Sequence, residues 1–380
     1  MPKIQMFCNT FGKSILENKT SYCNIPDFVA NKIGRNLHNQ EEHPIKIIKE
    51  YIYNYFKSID DRKFETFDNF SPFVTVQNNF DYLLIPHNHS SRSKSDSYYL
   101  NETIVLRTHT SAHQNELLEK GHRSFLVTGD VYRKDEVDMR HFYCFHQMEG
   151  VHLVDENEDP ETDLKKTLSG LIEYLFPQNE YRFGKDHFPF TNPSFEIEVK
   201  FGDKWLEVLG CGVIHSDILN RFDIKQKGWA FGLGLERFAM ILFNIQDIRL
   251  FWTDNVRFLK QFKNEEIVSF QPYSKVDPMK KDISFWIDKK EILIKEPDFE
   301  WININDFYEL VREVCGESIE SVFLLDKFYH KKYDKYSITF RLLIGAENYT
   351  QTNNAEVTIY ANKCLRKVVE KVESKGYIVR

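Results

Sequence analysis

Apolar side chains recur along this 380-residue chain in two rhythms, and the switches between them mark its elements. From Ile45 the spacing is helical: Ile45, Ile48, Ile52, Tyr55 and Phe56 share a face, and Pro44 sits in the first turn, where its missing N–H is not needed. Phe64 to Pro72 then reads as extended, and Asn79 to Ser97, with Arg92 and Lys94 among serines, as a solvated loop. Two β-rich runs, Phe125 to Tyr132 and Phe142 to Met148, flank a charged segment from Arg133 to Arg140, which predicts two strands joined by a long polar loop. Ile104 to Gln114 (IVLRTHTSAHQ) is a short strand followed by a helix start capped by Thr110 or Ser111, ahead of the run Ala112 to Leu118. Residues 155–170 are acidic and then helical; Lys204 to Val213 is a strand broken by closely spaced glycines. Gly228 to Phe243 (GWAFGLGLERFAMILF) is a glycine-rich strand followed by a helix apolar nearly all round, hence buried, and Phe251 to Phe262 closes this half as a helix. The glycines of that strand lack G-x-G-x-x-G spacing, so it is not a dinucleotide fingerprint.

Beyond Pro272 and Pro278 the rhythm changes again. The order is strand (Ile283 to Ile287), helix (Ile304 to Val314), strands (Ser318 to Phe328, Tyr336 to Leu343), helix (Asn354 to Glu373) and a short end at Tyr377 to Val379. That βαββαβ order is ferredoxin-like. The expected division is an N-terminal extension (1–40), a first domain (41–262), a linker (263–281) and a second domain (282–380), the two domains making a chain of mixed α+β class. The longest apolar run, Phe238 to Phe243, falls far short of a bilayer span, so no membrane association is expected. Six cysteines without C-x-x-C pairing argue against a zinc site or disulfide framework and fit a reducing compartment. A net charge of −7 does not advertise nucleic-acid binding, so RNA contacts must come from local patches. The first 16 residues carry Lys3 and Lys13 and no acid: either a short organelle-targeting segment or a frayed terminus.

Several residue groups carry chemistry. In the polar loop and its strands, Arg133 can grip a phosphate through its planar fork, and Arg140 and His141 stand on the return side. Phe142 and Phe145 offer aromatic faces; Gln147 and Glu149, two apart on one strand, share a face and form a receptor suited to an ammonium group. The alternative for the loop alone is a salt-bridged, solvated hairpin. Glu207 lies mid-strand among apolar residues and needs a partner; Arg237, opening an apolar helix, must be paired or face an anion. His109, Ser111, His113 and Gln114 are neutral donors or acceptors after a strand. Phe188 and Phe190 flank Pro189 and serve either as core or as a rigid aromatic clasp. Lys327 to Tyr336 (KFYHKKYDKY) interleaves cations and aromatics, as an RNA contact or a solvated hairpin rim would.

Taken together, these stretches resemble class II aminoacyl-tRNA synthetases, specifically phenylalanyl-tRNA synthetases of the organellar type, over about residues 34–380. The hairpin ending FHQME resembles motif 2, GLGLER motif 3, and the His43-Pro44 helix with its extended run motif 1. The resemblance implies an antiparallel synthetase sheet flanked by helices, plus a C-terminal ferredoxin-like anticodon-binding domain. It implies activation of L-phenylalanine by ATP, with Mg²⁺, and transfer to tRNA-Phe. Arg133 and Arg237 are then the catalytic cations, with Arg140, His141, Phe142, Phe145 and Glu207 at ATP. Phe145 matches the residue under adenine, Arg237 the one that holds the γ-phosphate, and Glu207 a residue facing ATP through magnesium; an arginine partner with no nucleotide role is the alternative for Glu207. Phenylalanine is expected to meet His109, Ser111, Ala112, His113, Gln114, Gln147, Met148, Glu149, Phe188, Phe190, Ala230 and Phe231, Ala230 limiting pocket depth. Lys327, Lys331, Lys332 and Lys335 are the expected tRNA contacts.

The chain lacks the longer insertion that organellar relatives carry after motif 2. A bacterial-type α subunit, which needs a β partner, ends soon after motif 3, whereas this chain continues; a non-catalytic relative is expected to have lost a phosphate arginine or the ammonium receptor. The expectation is therefore a monomeric enzyme without a β subunit, in the mitochondrial matrix.

Overall fold

The chain's packing in the computed structural model, which describes residues 20–59, 62–254, 256–271, 278–293, 299–346 and 354–380, divides it into two units. The larger holds the residues up to Arg133, Cys144–Ile245 and Leu250–Ser269; the smaller holds Lys134–Tyr143, Gln246–Arg249 and Phe270–Arg380. The first 16 residues, read above as a targeting segment or frayed end, lie outside the described residues.

In the larger unit His43 caps helix α1 (Pro44–Ser58), its ring accepting from the Ile45 amide, and Ile45, Ile48, Ile52 and Phe56 are buried as their spacing demands. The central sheet has seven strands in the order β1-β4-β5-β9-β8-β7-β6. They are β1 (Glu65–Phe67), β4 (Ser124–Tyr132), β5 (Cys144–Leu153), β6 (Tyr181–Asp186), β7 (Thr191–Phe201), β8 (Lys204–Ile214) and β9 (Gly228–Gly234). Only β1–β4 is parallel; β2 (Phe73–Thr75) and β3 (Ile104–Leu106) form a separate antiparallel pair. The extended run from Phe64 to Pro72 thus shortens to three strand residues.

Side chains alternate across a strand and paired residues share a face, so register decides what lies above and below the floor. Thr128, Met148, His146, Trp229 and Phe231 fall on one face, where Thr128 bonds the Tyr53 hydroxyl and Phe231 stacks on Phe56, both of α1. Helix α3 (Pro160–Leu175), capped by Asp159, lies on this side too, its Lys165 over the Phe195 ring. Glu149, Gln147, Phe145, Ala230, Gly210 and Gly212 fall on the other.

Two local expectations change. The stretch Asn79 to Ser97 is not a plain solvated loop: Asn79, Phe80 and Leu83 are fully buried, because the Asn79 amide pairs with the backbone N–H and hydroxyl of Thr108. Phe251 to Phe262 is a series of short helical turns rather than one helix.

The smaller unit is a four-stranded sheet, order β11-β12-β10-β13, from β10 (Met279–Ile287), β11 (Ile319–His330), β12 (Lys335–Ile344) and β13 (Ile378–Val379). Helices α6 (Ile304–Cys315) and α7 (Asn354–Ser374) cover one face through Phe285, Phe307, Phe340, Val368 and their neighbours, the ferredoxin arrangement that the element order predicts. No helix among the described residues is long and apolar enough to cross a membrane.

Candidate active site

The floor of the site is where β4, β5, β9 and β8 run side by side. Gly129, Gln147 and Gly234 lie in one row, Val127, Glu149, Gly232 and Gly210 in the next, and Val151, Ala230 and Gly212 in a third. Most neighbours of Gln147 and Glu149 thus lack side chains. A Cβ added at Gly232 or Gly234 would meet nothing within 4 Å, so these two glycines open a trough. At Gly210 a Cβ would stand 2.8 Å from the Phe188 ring, so glycine is what lets Phe188 fold down over the sheet.

Glu149 is 4% exposed and accepts a hydrogen bond from Ser111; burial pushes its carboxyl up to about 8. Ser111 stands on a 3-10 turn (Thr110–His113) that leads into α2 (Gln114–Glu119); among the described residues no side chain caps the start of either, and the strand-to-turn geometry is held instead by Asn79 on Thr108. His109 lies beside Phe190, ring centroids 6.4 Å apart, and burial together with the Arg133 charge lowers its pKa to about 3, so it is neutral. Gln114 is buried, its Oε1 without a hydrogen-bond partner among the described residues. Phe188 and Phe190 stack with centroids 5.8 Å apart, and Phe190 also packs in the cluster that holds Ala230 and in the one that holds Ala112.

Arg133 follows β4 and donates from Nε to the Thr108 carbonyl (2.6 Å), its guanidinium 5.2 Å over the Phe145 ring. Arg237, exposed in the first turn of helix α5 (Leu235–Leu242), donates to the Glu207 carbonyl at 2.7 Å. Glu207 is exposed, not embedded as its apolar flanks predict. A bulge puts Glu198 opposite Glu207 after Ile197 opposite Leu209, and this turns Glu207 onto the face of Glu196 and Gly210. Burial and then the Glu207 charge raise the Glu196 carboxyl. Two carboxylates on one sheet face, the charge of one raising the other, beside Arg237 fit a divalent cation, which would relieve their repulsion.

Register corrects other expectations. Met148 and Phe231 point to the helix-covered face, because they alternate with Glu149 and Ala230; the Phe231 ring is stacked on Phe56, 5.5 Å away. His113 is engaged on both nitrogens, Nε2 accepting from Arg107 at 2.9 Å and Nδ1 donating to Glu116 at 3.0 Å, so it braces the turn rather than facing the trough. Arg107 also binds the Asp130 side chain (2.7 Å) and its carbonyl, both residues almost fully buried. Sequence reading passed over Arg107, Asn79 and Glu196. The only signals were a charged residue ending an apolar strand and the alternating Glu196 and Glu198.

Arg140, His141 and Phe142 belong to the smaller unit. Asp138 accepts from the backbone amides of Arg140 and His141 and from the His141 ring, whose pKa it raises. With Glu136 these form a cluster of metal-ligand type, knotted by its own hydrogen bonds. Phe142 is buried against Tyr143, centroids 4.2 Å apart, and presents no open ring. Lys327 lies in register with Ile338 and Phe285, on the helix-covered side, and donates to the Phe299 carbonyl; Lys331, Lys332 and Lys335 are exposed. The open face of this sheet carries Trp286, Ser337 and Phe328 in one row, with the Arg380 guanidinium 4.5 and 5.6 Å over the two rings.

Residues 27–262 match the family model of the tRNA synthetases class II core domain (F), and residues 274–376 that of the ferredoxin-fold anticodon binding domain. The chain is 45% identical over 364 residues to the chloroplastic/mitochondrial phenylalanine–tRNA ligase of Arabidopsis thaliana, covering 93% of this chain and 81% of that one. It is 40% identical to the mitochondrial phenylalanine–tRNA ligase of Dictyostelium discoideum (92% and 89% covered) and 42% to that of Mus musculus (87% and 80%).

Proposed function

Because this chain belongs to the phenylalanine–tRNA ligase family of class II synthetases, with ATP and tRNA as substrates, we propose that one face of its central sheet performs both half-reactions of that ligase. The catalytic domain is assigned to residues 41–262, a linker to 263–281 and the anticodon-binding domain to 282–380. In the first half-reaction the phenylalanine carboxylate attacks the α-phosphorus of ATP; a C–O–P bond forms, the Pα–O bond to the β-phosphate breaks, and pyrophosphate leaves. In the second a terminal hydroxyl of tRNA attacks the acyl carbonyl and AMP leaves.

Two anions must meet, so fixed cations and orientation supply the catalysis. Glu149 and Gln147 hold the substrate ammonium, with Ser111 on the carboxylate. Phe188, Phe190 and Ala230 enclose the phenyl ring, with His109, Ala112 and Gln114 at its edge. Arg133 and Arg237 hold phosphates, Phe145 stacks on adenine, and Arg237 covers the base. Glu207 and Glu196 would hold Mg²⁺, which neutralises phosphate charge when bound. The observation that carries this reading is the buried, protonatable Glu149 on the same sheet face as Phe145 and Arg133.

On the smaller unit, Trp286, Phe328 and Arg380 form a stacking platform for single-stranded bases, with Lys331, Lys332 and Lys335 near phosphates. We place the enzyme in the mitochondrion, specifically the matrix, acting on tRNA-Phe as a monomer without a β subunit. Phenylalanine-dependent ATP–pyrophosphate exchange by the purified chain, together with a solution mass near 45.3 kDa, tests this. Exchange that requires a second chain, or that survives Glu149→Ala with unchanged KM for phenylalanine, overturns it.

A further inference from the structure

Beneath the floor, on the face away from the substrates, Glu236 is 2% exposed and His146 is fully buried. The Glu236 carboxylate grips one residue twice: Oε2 accepts from the His146 backbone N–H at 2.7 Å, and Oε1 lies 2.7 Å from its Nδ1. A carboxylate only accepts, so Nδ1 carries the proton; Nε2 is buried with no hydrogen-bond partner among the described residues. The ring is held between those of His38 and Trp252, centroids 5.1 and 5.4 Å away.

The place of this clamp follows from the sheet. The β5–β9 ladder runs from Leu153 opposite Gly228 to Gln147 opposite Gly234 and stops, because the chain passes into α5 at Leu235. His146 is the first β5 residue beyond the ladder, and Glu236, two residues past the end of β9, supplies the acceptor that the strand no longer offers. Phe145 and Gln147 flank His146 and point to the opposite face. Arg237 follows Glu236 about 100° further round the helix, which turns the acid down into the floor and the guanidinium out to solvent.

We propose that Glu236 is a positioning residue for adenylate formation: clamping His146, just beyond the last paired rung at Gln147 and Gly234, fixes the end of β5 that carries Phe145 against the helical turn that carries Arg237. This rests on the assignment of Phe145 and Arg237 to ATP given above. Removing the carboxylate strands two buried donors and lets the adenine and phosphate contacts move relative to each other, where a displacement of about 1 Å can cost about 100-fold.

In Glu236→Ala, kcat/KM for ATP in phenylalanine-dependent pyrophosphate exchange is expected to fall about 10–100-fold, while phenylalanine affinity, measured by calorimetry without ATP, stays within about threefold. Glu236→Gln can restore both bonds only if the imidazole proton moves to Nε2, where it finds no acceptor, so its ATP kcat/KM should lie between those of wild type and Glu236→Ala. A folded Glu236→Ala enzyme with ATP kinetics within about threefold of wild type overturns the proposal, as does equal loss of phenylalanine and ATP affinity, the mark of general damage. If Glu236→Ala does not fold, Glu236→Gln decides by the same split: ATP kinetics equal to wild type, or losses shared by both substrates, refute it. Arg237→Ala and Phe145→Ala run alongside. If they leave ATP kinetics intact, the nucleotide assignment has failed and the proposal with it; if they impair ATP use and the Glu236 variants do not, the clamp alone has failed.

Discussion

Replacing Glu149 by glutamine is the most informative single change. Burial lifts its carboxyl from 4.5 to about 8, so the folded chain holds a proton there that the unfolded chain releases. The sign follows: the site costs the fold nothing below about pH 4.5, and the cost grows as pH rises, levelling off above about pH 8 at about 5 kcal/mol. Glutamine can still accept from Ser111 and never ionises. Glu149→Gln should therefore melt within about 3 °C of wild type at pH 5 and about 10–20 °C above it at pH 8.5, at about 2–4 °C per kcal/mol. Phenylalanine reverses the balance, since its ammonium favours the ionised carboxylate. Binding at pH 7 should release most of one proton in wild type, seen by calorimetry in buffers of different ionisation enthalpy, and none in Glu149→Gln. The variant should also lose about 10–150-fold in affinity, as expected for a charge-assisted bond of about 1.5–3 kcal/mol. Absence of proton release, or a variant no more stable than wild type at pH 8.5, would refute the assignment of Glu149 as the buried ammonium receptor.

Other perturbations separate the remaining parts. Ala230→Gly should admit para-substituted phenylalanines in the exchange assay, and unchanged selectivity would remove Ala230 from the pocket. Glu196→Gln should raise the Mg²⁺ concentration needed for half-maximal exchange about tenfold, by loss of one carboxylate ligand; an unchanged requirement would exclude it. Arg107→Met strands Asp130 in the interior and should cost about 3–5 kcal/mol by denaturant titration, a value near zero showing that the pair is dispensable. Trp286→Ala should weaken tRNA binding by about 1–3 kcal/mol per lost stack while exchange is untouched; unaltered tRNA affinity would move the RNA surface elsewhere.

Local pattern determined a great deal of this protein. Period and punctuation placed α1 with its Pro44 start, the β4–β5 hairpin, the β9–α5 junction and the whole βαββαβ succession, because these are set by short-range sterics, capping and which face of an element is apolar. The residue types proposed to bring two anions together were equally visible: Arg133, Gln147, Glu149 and Arg237 stand in recognisable company. What one-dimensional reading could not supply was direction and burial. Met148 and Phe231 lie in the right stretches but on the wrong face, and only pairing register reveals it. A single bulge reverses Glu207, which no periodicity anticipates. Asn79 and Arg107 look like ordinary loop and strand-end residues until the fold closes over them, and Glu236 matters only because β9 ends one residue short of His146. Such facts depend on contacts between segments distant in the chain, whose geometry is settled when the sheet assembles and the interior loses its water.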